Sequence, residues 1–161
     1  MASRGQYNVY MIKTINLTPG GLTEKQNELH ILQTERIDAI KELQRAREMG
    51  DLSENAAYKV ARSRLSRIDG RIRFLEKILK RVKVVTKRTD GRIGLGSKVT
   101  IDDSTNIKEI TLVDSYESDF MQGKISGYSP IGRVLMRKKV GDVVEVSTIK
   151  GVIKYTITYV Q

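Results

Sequence analysis

The chain contains no cysteine, no tryptophan, two phenylalanines and a single histidine in 161 residues. The absence of cysteine excludes disulfides, thiolate zinc sites and thiol nucleophiles together. With so few large aromatics, any globular core must be aliphatic and modest. No apolar run approaches the roughly 20 residues that cross a bilayer. The N-terminus also lacks the charged-then-apolar order of a signal peptide. A cytoplasmic protein with no membrane partner is therefore expected.

Charge is abundant and unevenly placed. Residues 55–88 hold twelve Lys or Arg against Asp69 and Glu76, whereas residues 18–54 hold five basic and eight acidic residues. The net charge of +10 thus belongs to one segment. It reads either as a surface for a polyanion or as an unusually basic solvated face.

Residues 1–17 have no clear period and read as a short leader or a poorly ordered terminus, without an assigned role. Thr18-Pro19 then opens a helix, with Thr as N-cap and Pro at the first helical position. Leu22, Leu29, Leu32, Ala39, Leu43 and Ala46 form its seam, widened by Ile37 and Ile40. Arg36 falls on the seam as a flaw, and the helix should run to about Met49. A second helix has a cleaner seam: Tyr58, Ala61, Leu65, Ile68, Ile72, Leu75, Leu79 and Val82, at alternating gaps of three and four. Gly70 interrupts it beside the seam. Arg64, Arg67 and Arg71 share one flank, while Lys59, Arg62, Arg73, Lys77 and Lys80 occupy another set of polar positions. The loop between the helices is short, which forces an antiparallel hairpin over 18–88 with its tip at 50–58.

Near Lys87–Gly91 the helical period ends, and Gly91–Gly96 reads as a linker. Short β-branched runs follow at Lys98–Ile101, Lys108–Val113, Val143–Ser147 and Val152–Val160. Ser129-Pro130 opens a short helix expected over Pro130–Lys138. The fold class is α+β: an antiparallel two-helix coiled coil, then a small α+β domain over 89–161 packed against the base of the hairpin.

Three stretches resemble the bacterial GreA/GreB transcript cleavage factors: Leu17–Leu22, the loop Gly50-Asp51-Leu52-Ser53-Glu54-Asn55-Ala56-Ala57-Tyr58, and Ser129–Leu135 with Lys138–Asp142. The resemblance implies an FKBP-like C-terminal domain that docks on bacterial RNA polymerase through Ser129, Pro130, Ile131, Gly132 and Arg133. It implies that a monomer inserts its coiled coil into the secondary channel, on the β′ side. There it would stimulate the polymerase's own cleavage of the nascent RNA 3′ end after backtracking, without being an enzyme alone. Asp51 and Glu54 match the family's tip acids. Many members carry a further acid just before the tip tyrosine, and here that position is Ala57. Arg137 replaces a small residue often found in the C-terminal motif.

Phosphodiester hydrolysis is helped by two divalent metals about 4 Å apart. Magnesium needs only one or two carboxylates from any one partner. Asp51 and Glu54 would accordingly support a Mg2+ shared with the polymerase centre and orient or deprotonate water. Asn55 would hold a phosphate or the loop itself, and Tyr58 would stack on a displaced base or fill the seam. Arg64, Arg67 and Arg71 would hold RNA or the channel wall. Capping is the competing reading of Asp51-x-x-Glu54, with Asp51 as N-cap and Glu54 reaching back. The competing functions are a non-cleaving channel regulator, a prolyl isomerase and a generic nucleic-acid-binding hairpin.

Overall fold

The computed structural model describes residues 14–49, 55–149 and 151–161. Strand β1 (Ile15–Leu17) leads into the 30-residue helix α1 (Pro19–Glu48). Thr18 caps α1, its side chain accepting the Gly21 N–H at 3.0 Å, and Pro19 stands in the first turn. Helix α2 (Ala56–Leu79) runs back beside α1. The direction is visible in three cross-helix ion pairs, Glu28–Arg71, Arg36–Asp69 and Glu42–Arg64, where one number rises as the other falls. Buried Ala39, Ile68 and Ile72, with Leu29, Leu32 and Leu65 packed on them, make the middle of the seam. Arg36 does not break this seam, because its Nε reaches Asp69 Oδ1 at 2.6 Å in the exposed rim.

The hairpin's root differs from the expected one. α2 ends at Leu79, and Val82, expected as the last seam residue, belongs to strand β2 (Val82–Val84). β2 pairs in parallel with β1, Ile15 opposite Val82 and Leu17 opposite Val84. The β-branched run Val82-Lys83-Val84-Val85 favours extended backbone. Pairing also buries Ile15 and Leu17 against Ile78. Residues 15–17, without a role in the sequence, are therefore part of the hairpin's foundation.

The second part is a five-stranded sheet of β3 (Lys98–Asp102), β4 (Ile107–Val113), β5 (Lys124–Ser126), β6 (Val143–Thr148) and β7 (Gly151–Val160). The order is β5-β4-β3-β7-β6, with β4 and β5 parallel and the other pairs antiparallel. Helix α3 (Pro130–Leu135) packs on it. The core is aliphatic apart from Tyr155: Val99, Ile101, Leu112, Leu135, Val144 and Ile157 are its centre.

The stretch read as a linker contributes to that core, since Ile93 is fully buried. Its N–H donates to the Lys138 carbonyl at 2.8 Å and its carbonyl accepts the Arg137 N–H at 2.9 Å. This pairing draws residues 137–138 away from the helix, so α3 stops at Leu135 and not at Lys138. Arg137 takes φ +66° as the chain turns, a region costly for a residue with a Cβ. Arg137→Gly is expected to raise stability by about 1 kcal/mol, read as a higher denaturation midpoint at unchanged m-value.

A tight junction joins the two parts. Glu117, buried in the loop after β4, accepts the Thr18 N–H at 2.5 Å and the Thr18 hydroxyl at 2.7 Å. Buried Asp114 accepts the Asn16 N–H at 3.3 Å. Lys124 on β5 pairs with Glu24 on α1 at 2.6 Å. The arm is thus anchored to the sheet at the N-terminus of its own first helix, where a carboxylate is electrostatically favoured.

Gly70 is open in the structure: a Cβ there would meet nothing within 4 Å. Gly70→Ala is expected to stabilise the hairpin by about 1 kcal/mol. Thermal unfolding should then move up by about 2–4 °C.

Candidate functional site

Asp51 and Glu54 lie outside the described residues, so the tip is defined here by what flanks it. Asn55 is the N-cap of α2: its Oδ1 accepts the Tyr58 N–H at 2.9 Å, and its Nδ2 donates to the Ala46 carbonyl at 2.7 Å. One side chain thus ties the end of α1 to the start of α2. The cap placed at Asp51 by the capping reading is found at Asn55 instead. The helix begins after both acids, which leaves capping of α2 to a neutral amide. Of the two roles expected for Asn55, holding the loop is the one its contacts perform. Asn55→Ala should cost about 1 kcal/mol for the lost cap. Asn55→Asp should restore the cap but set a carboxylate oxygen against the Ala46 carbonyl, so its unfolding curve should recover only part of that loss.

Tyr58 is half-buried, with the Arg47 guanidinium 5.8 Å from its ring centroid. Ala57 is exposed and, with Ala46, Met49, Ala56 and Val60 and the charged Glu42 and Arg45, lines a cavity of about 430 Å³ beside the tip. Ala57 brings no charge to this surface, whose charged members are Glu42 and Arg45.

The arginine flank is brought together as the spacing requires. Arg64, Arg67 and Arg71 line a cavity of about 340 Å³ with Leu32, Glu35 and Ile68. Their charges are not equally available. Arg64 is bound to Glu42 and Arg71 to Glu28, each at 2.5 Å, whereas Arg67 has no ion pair among the described residues. Lys59, Arg62, Arg73, Lys77 and Lys80 are exposed and likewise lack ion pairs among the described residues. The helix therefore keeps a large unneutralised positive charge outside the flank that the sequence singled out.

In the sheet domain, Ser129 caps α3 by accepting the Gly132 N–H at 3.1 Å, and its hydroxyl donates to the Ser126 carbonyl at 2.7 Å. Pro130 and Arg133 are exposed, Ile131 packs on the core, and Gly132 is buried. The expected docking turn is thus one compact unit with two outward side chains. Two carboxylates elsewhere are held well below the usual range, to about 2: Asp90 by its hydrogen bond from Arg88, and Asp103 by the Thr105 hydroxyl. They order the linker and the β3–β4 turn. Among the described residues, no group of three or more His, Cys, Asp or Glu is placed to hold a metal.

Comparison with known proteins divides the chain at the same place as the fold. Residues 15–84 match the family model "Transcription elongation factor, N-terminal", and residues 88–161 match "Transcription elongation factor, GreA/GreB, C-term". The chain belongs to the GreA/GreB transcription elongation factor family. GreA of Mesoplasma florum is 41% identical over 144 residues, covering 86% of this chain and 92% of that protein. GreA of Rhodospirillum rubrum is 38% identical over 155 residues, covering 93% and 99%. Among solved structures, Gfh1 of Thermus thermophilus is 29% identical, covers 92% of this chain and 99% of its own, and has a TM-score of 0.45.

The residues that hold the arm to the sheet domain carry no signal of their own in the sequence. Glu117 and Asp114 lie in an acidic, Ser-rich loop to which the sequence assigns no element. Their partners Thr18 and Asn16 are about a hundred residues away in the chain. The one local trace is Gly21, where any Cβ would run into the Glu117 carboxylate.

Proposed function

We propose that this chain inserts its hairpin into the secondary channel of bacterial RNA polymerase and stimulates the polymerase's own endonucleolytic cleavage of backtracked RNA at its 3′ end. The observation that supports this most is the division of labour at the tip. Asn55 caps α2 and closes the hairpin, so Asp51 and Glu54 are not needed for capping α2. α2 alone carries that tip about 36 Å from its root.

The donor set suits a Mg2+ shared with the polymerase centre. Two carboxylates three residues apart supply the one or two oxygen ligands that such an ion takes from a single partner. They are too few for a site on the chain alone. When bound, the ion activates water and stabilises the leaving oxygen. Asp51 and Glu54 provide oxygen ligands and orient or accept a proton from the attacking water. Asn55 holds the loop, and Tyr58 presents its ring to a displaced base. Arg64, Arg67 and Arg71 face the RNA or the channel wall. Ser129, Pro130, Ile131, Gly132 and Arg133 dock the sheet domain on the β′ side, and the chain acts as a monomer.

The test is a stalled, backtracked bacterial polymerase complex with end-labelled RNA, incubated with and without the chain. Faster release of the 3′ fragment, dependent on Mg2+, is the expected result. Tight occupancy of the channel with no added cleavage would replace this reading with a non-cleaving regulator, and Ala57 would be the residue to change first.

A further inference from the structure

We propose that the furrow at the root of the hairpin is a stacking site for single-stranded RNA. It would take an unpaired base of the extruded 3′ segment after that segment has passed along α2. This rests on the cleavage-factor reading and extends it to the far end of the arm.

Two cavities, of about 220 and 130 Å³, share Ile15, Arg81 and Tyr116 and so form one furrow where α2 meets the loop after β4. Phe74 and Lys77 line one end and Tyr128 the other. Phe74 and Tyr116 come from different parts of the fold, yet their ring centroids lie 6.2 Å apart. Both remain substantially exposed, 43% and 41%. The Arg71 guanidinium stands 5.1 Å from the Phe74 ring centroid. In a chain with two phenylalanines and no tryptophan, such an exposed aromatic pair is conspicuous.

Charge decides what the furrow suits. Lys77 and Arg81 have no carboxylate partner among the described residues. Asp114 is the acid on the lining, but it is buried and its oxygens accept the backbone N–H groups of Asn16 and Tyr116, each at 3.3 Å. Aromatic faces rimmed by cations hold single-stranded nucleic acid by stacking and phosphate attraction. A purely apolar partner would leave those cations without a role.

Position supports the same occupant. Arg64, Arg67, Arg71, Phe74, Ile78 and Arg81 recur at gaps of three and four, so they follow one flank of the hairpin. The arginine-lined cavity and the furrow are successive stations on that flank. Phe74 lies about 28 Å along the helix from Asn55. Only an RNA extruded well beyond the tip reaches it.

The test uses the full chain and two stalled polymerase complexes. In one the extruded RNA ends at the hairpin tip, and in the other it continues past Phe74 and carries a photoreactive uridine at that distance. Phe74→Ala, Tyr116→Ala and Arg81→Gln should each weaken binding to the long complex by about tenfold and lower crosslinking to the furrow. Binding to the short complex should not change. All three side chains are partly exposed, and Arg81→Gln keeps most of its stem, so folding is checked by matching unfolding curves. Equal affinity of wild type and variants for the long complex would overturn the proposal. So would an equal loss on both complexes, which would identify a polymerase contact. If wild type stimulates cleavage in neither complex, it is the cleavage reading that has failed.

Discussion

Gly132→Ala will lower stability by about 3 kcal/mol and weaken attachment to the polymerase. A Cβ at this position would overlap the Ser126 carbonyl oxygen and lie 2.8 Å from Gly127 Cα and 3.0 Å from Gly127 C. All three atoms are backbone, so no side-chain rotation relieves the clash. The Ser126 carbonyl is also the acceptor for the Ser129 N–H at 3.0 Å and the Ser129 hydroxyl at 2.7 Å. Moving it disturbs the cap of α3 and the turn that presents Pro130 and Arg133. Overpacking a tight site costs about 1–3 kcal/mol, and an immobile backbone obstacle puts this case at the upper end. The thermal midpoint should fall by roughly 10 °C. Unchanged unfolding together with unchanged polymerase binding would show that α3 can slide off the Ser126–Gly127 backbone, contrary to the packing described.

Glu117→Ala should have an effect of similar size by a different route. It removes two hydrogen bonds to a carboxylate, at the Thr18 N–H and hydroxyl, each of a kind worth about 1.5–3 kcal/mol. It also removes negative charge from the N-terminus of a 30-residue helix. A net loss of about 3 kcal/mol is expected, with Glu117→Gln retaining part of it through its amide oxygen. Gly21→Ala attacks the same contact from the other side by forcing the carboxylate away. The two substitutions should be strongly non-additive, the double variant being little worse than either single one. A spin-label distance from α1 to β7 should also broaden in both. Additive losses with an unchanged distance distribution would mean that Glu117 does not hold the arm.

The long-range architecture was more legible than the junctions. Leu65, Ile68, Ile72 and Leu75 recur over many turns, and a heptad pattern of that length has one structural solution. The same rule over-extended the helix to Val82, because a single valine satisfies both a helical gap and a strand. β1 offered only Ile15, Asn16 and Leu17, and its partner is a parallel three-residue strand elsewhere in the chain. No local period announces such a pairing. Spacing within α2 puts Arg64, Arg67 and Arg71 on one flank, but it does not reveal that Glu28 and Glu42 across the seam neutralise two of them. At the tip the Asp51-x-x-Glu54 spacing fitted a capping box, and the preference of Asn for the cap position placed the true cap immediately after it.

On the proposed function, Asp51 and Glu54 serve chemistry in the polymerase centre. The most direct measurement of this role compares the natural chain with Asp51→Asn and Glu54→Gln in a backtracked polymerase complex, at protein concentrations giving equal channel occupancy by competition. Cleavage should fall by at least about a hundredfold in each variant, on the scale of losing a positioned acid–base group, with unfolding midpoints unchanged. Full cleavage by both variants at equal occupancy would rule out a chemical role for the two acids and reduce the tip to a connection between two helices.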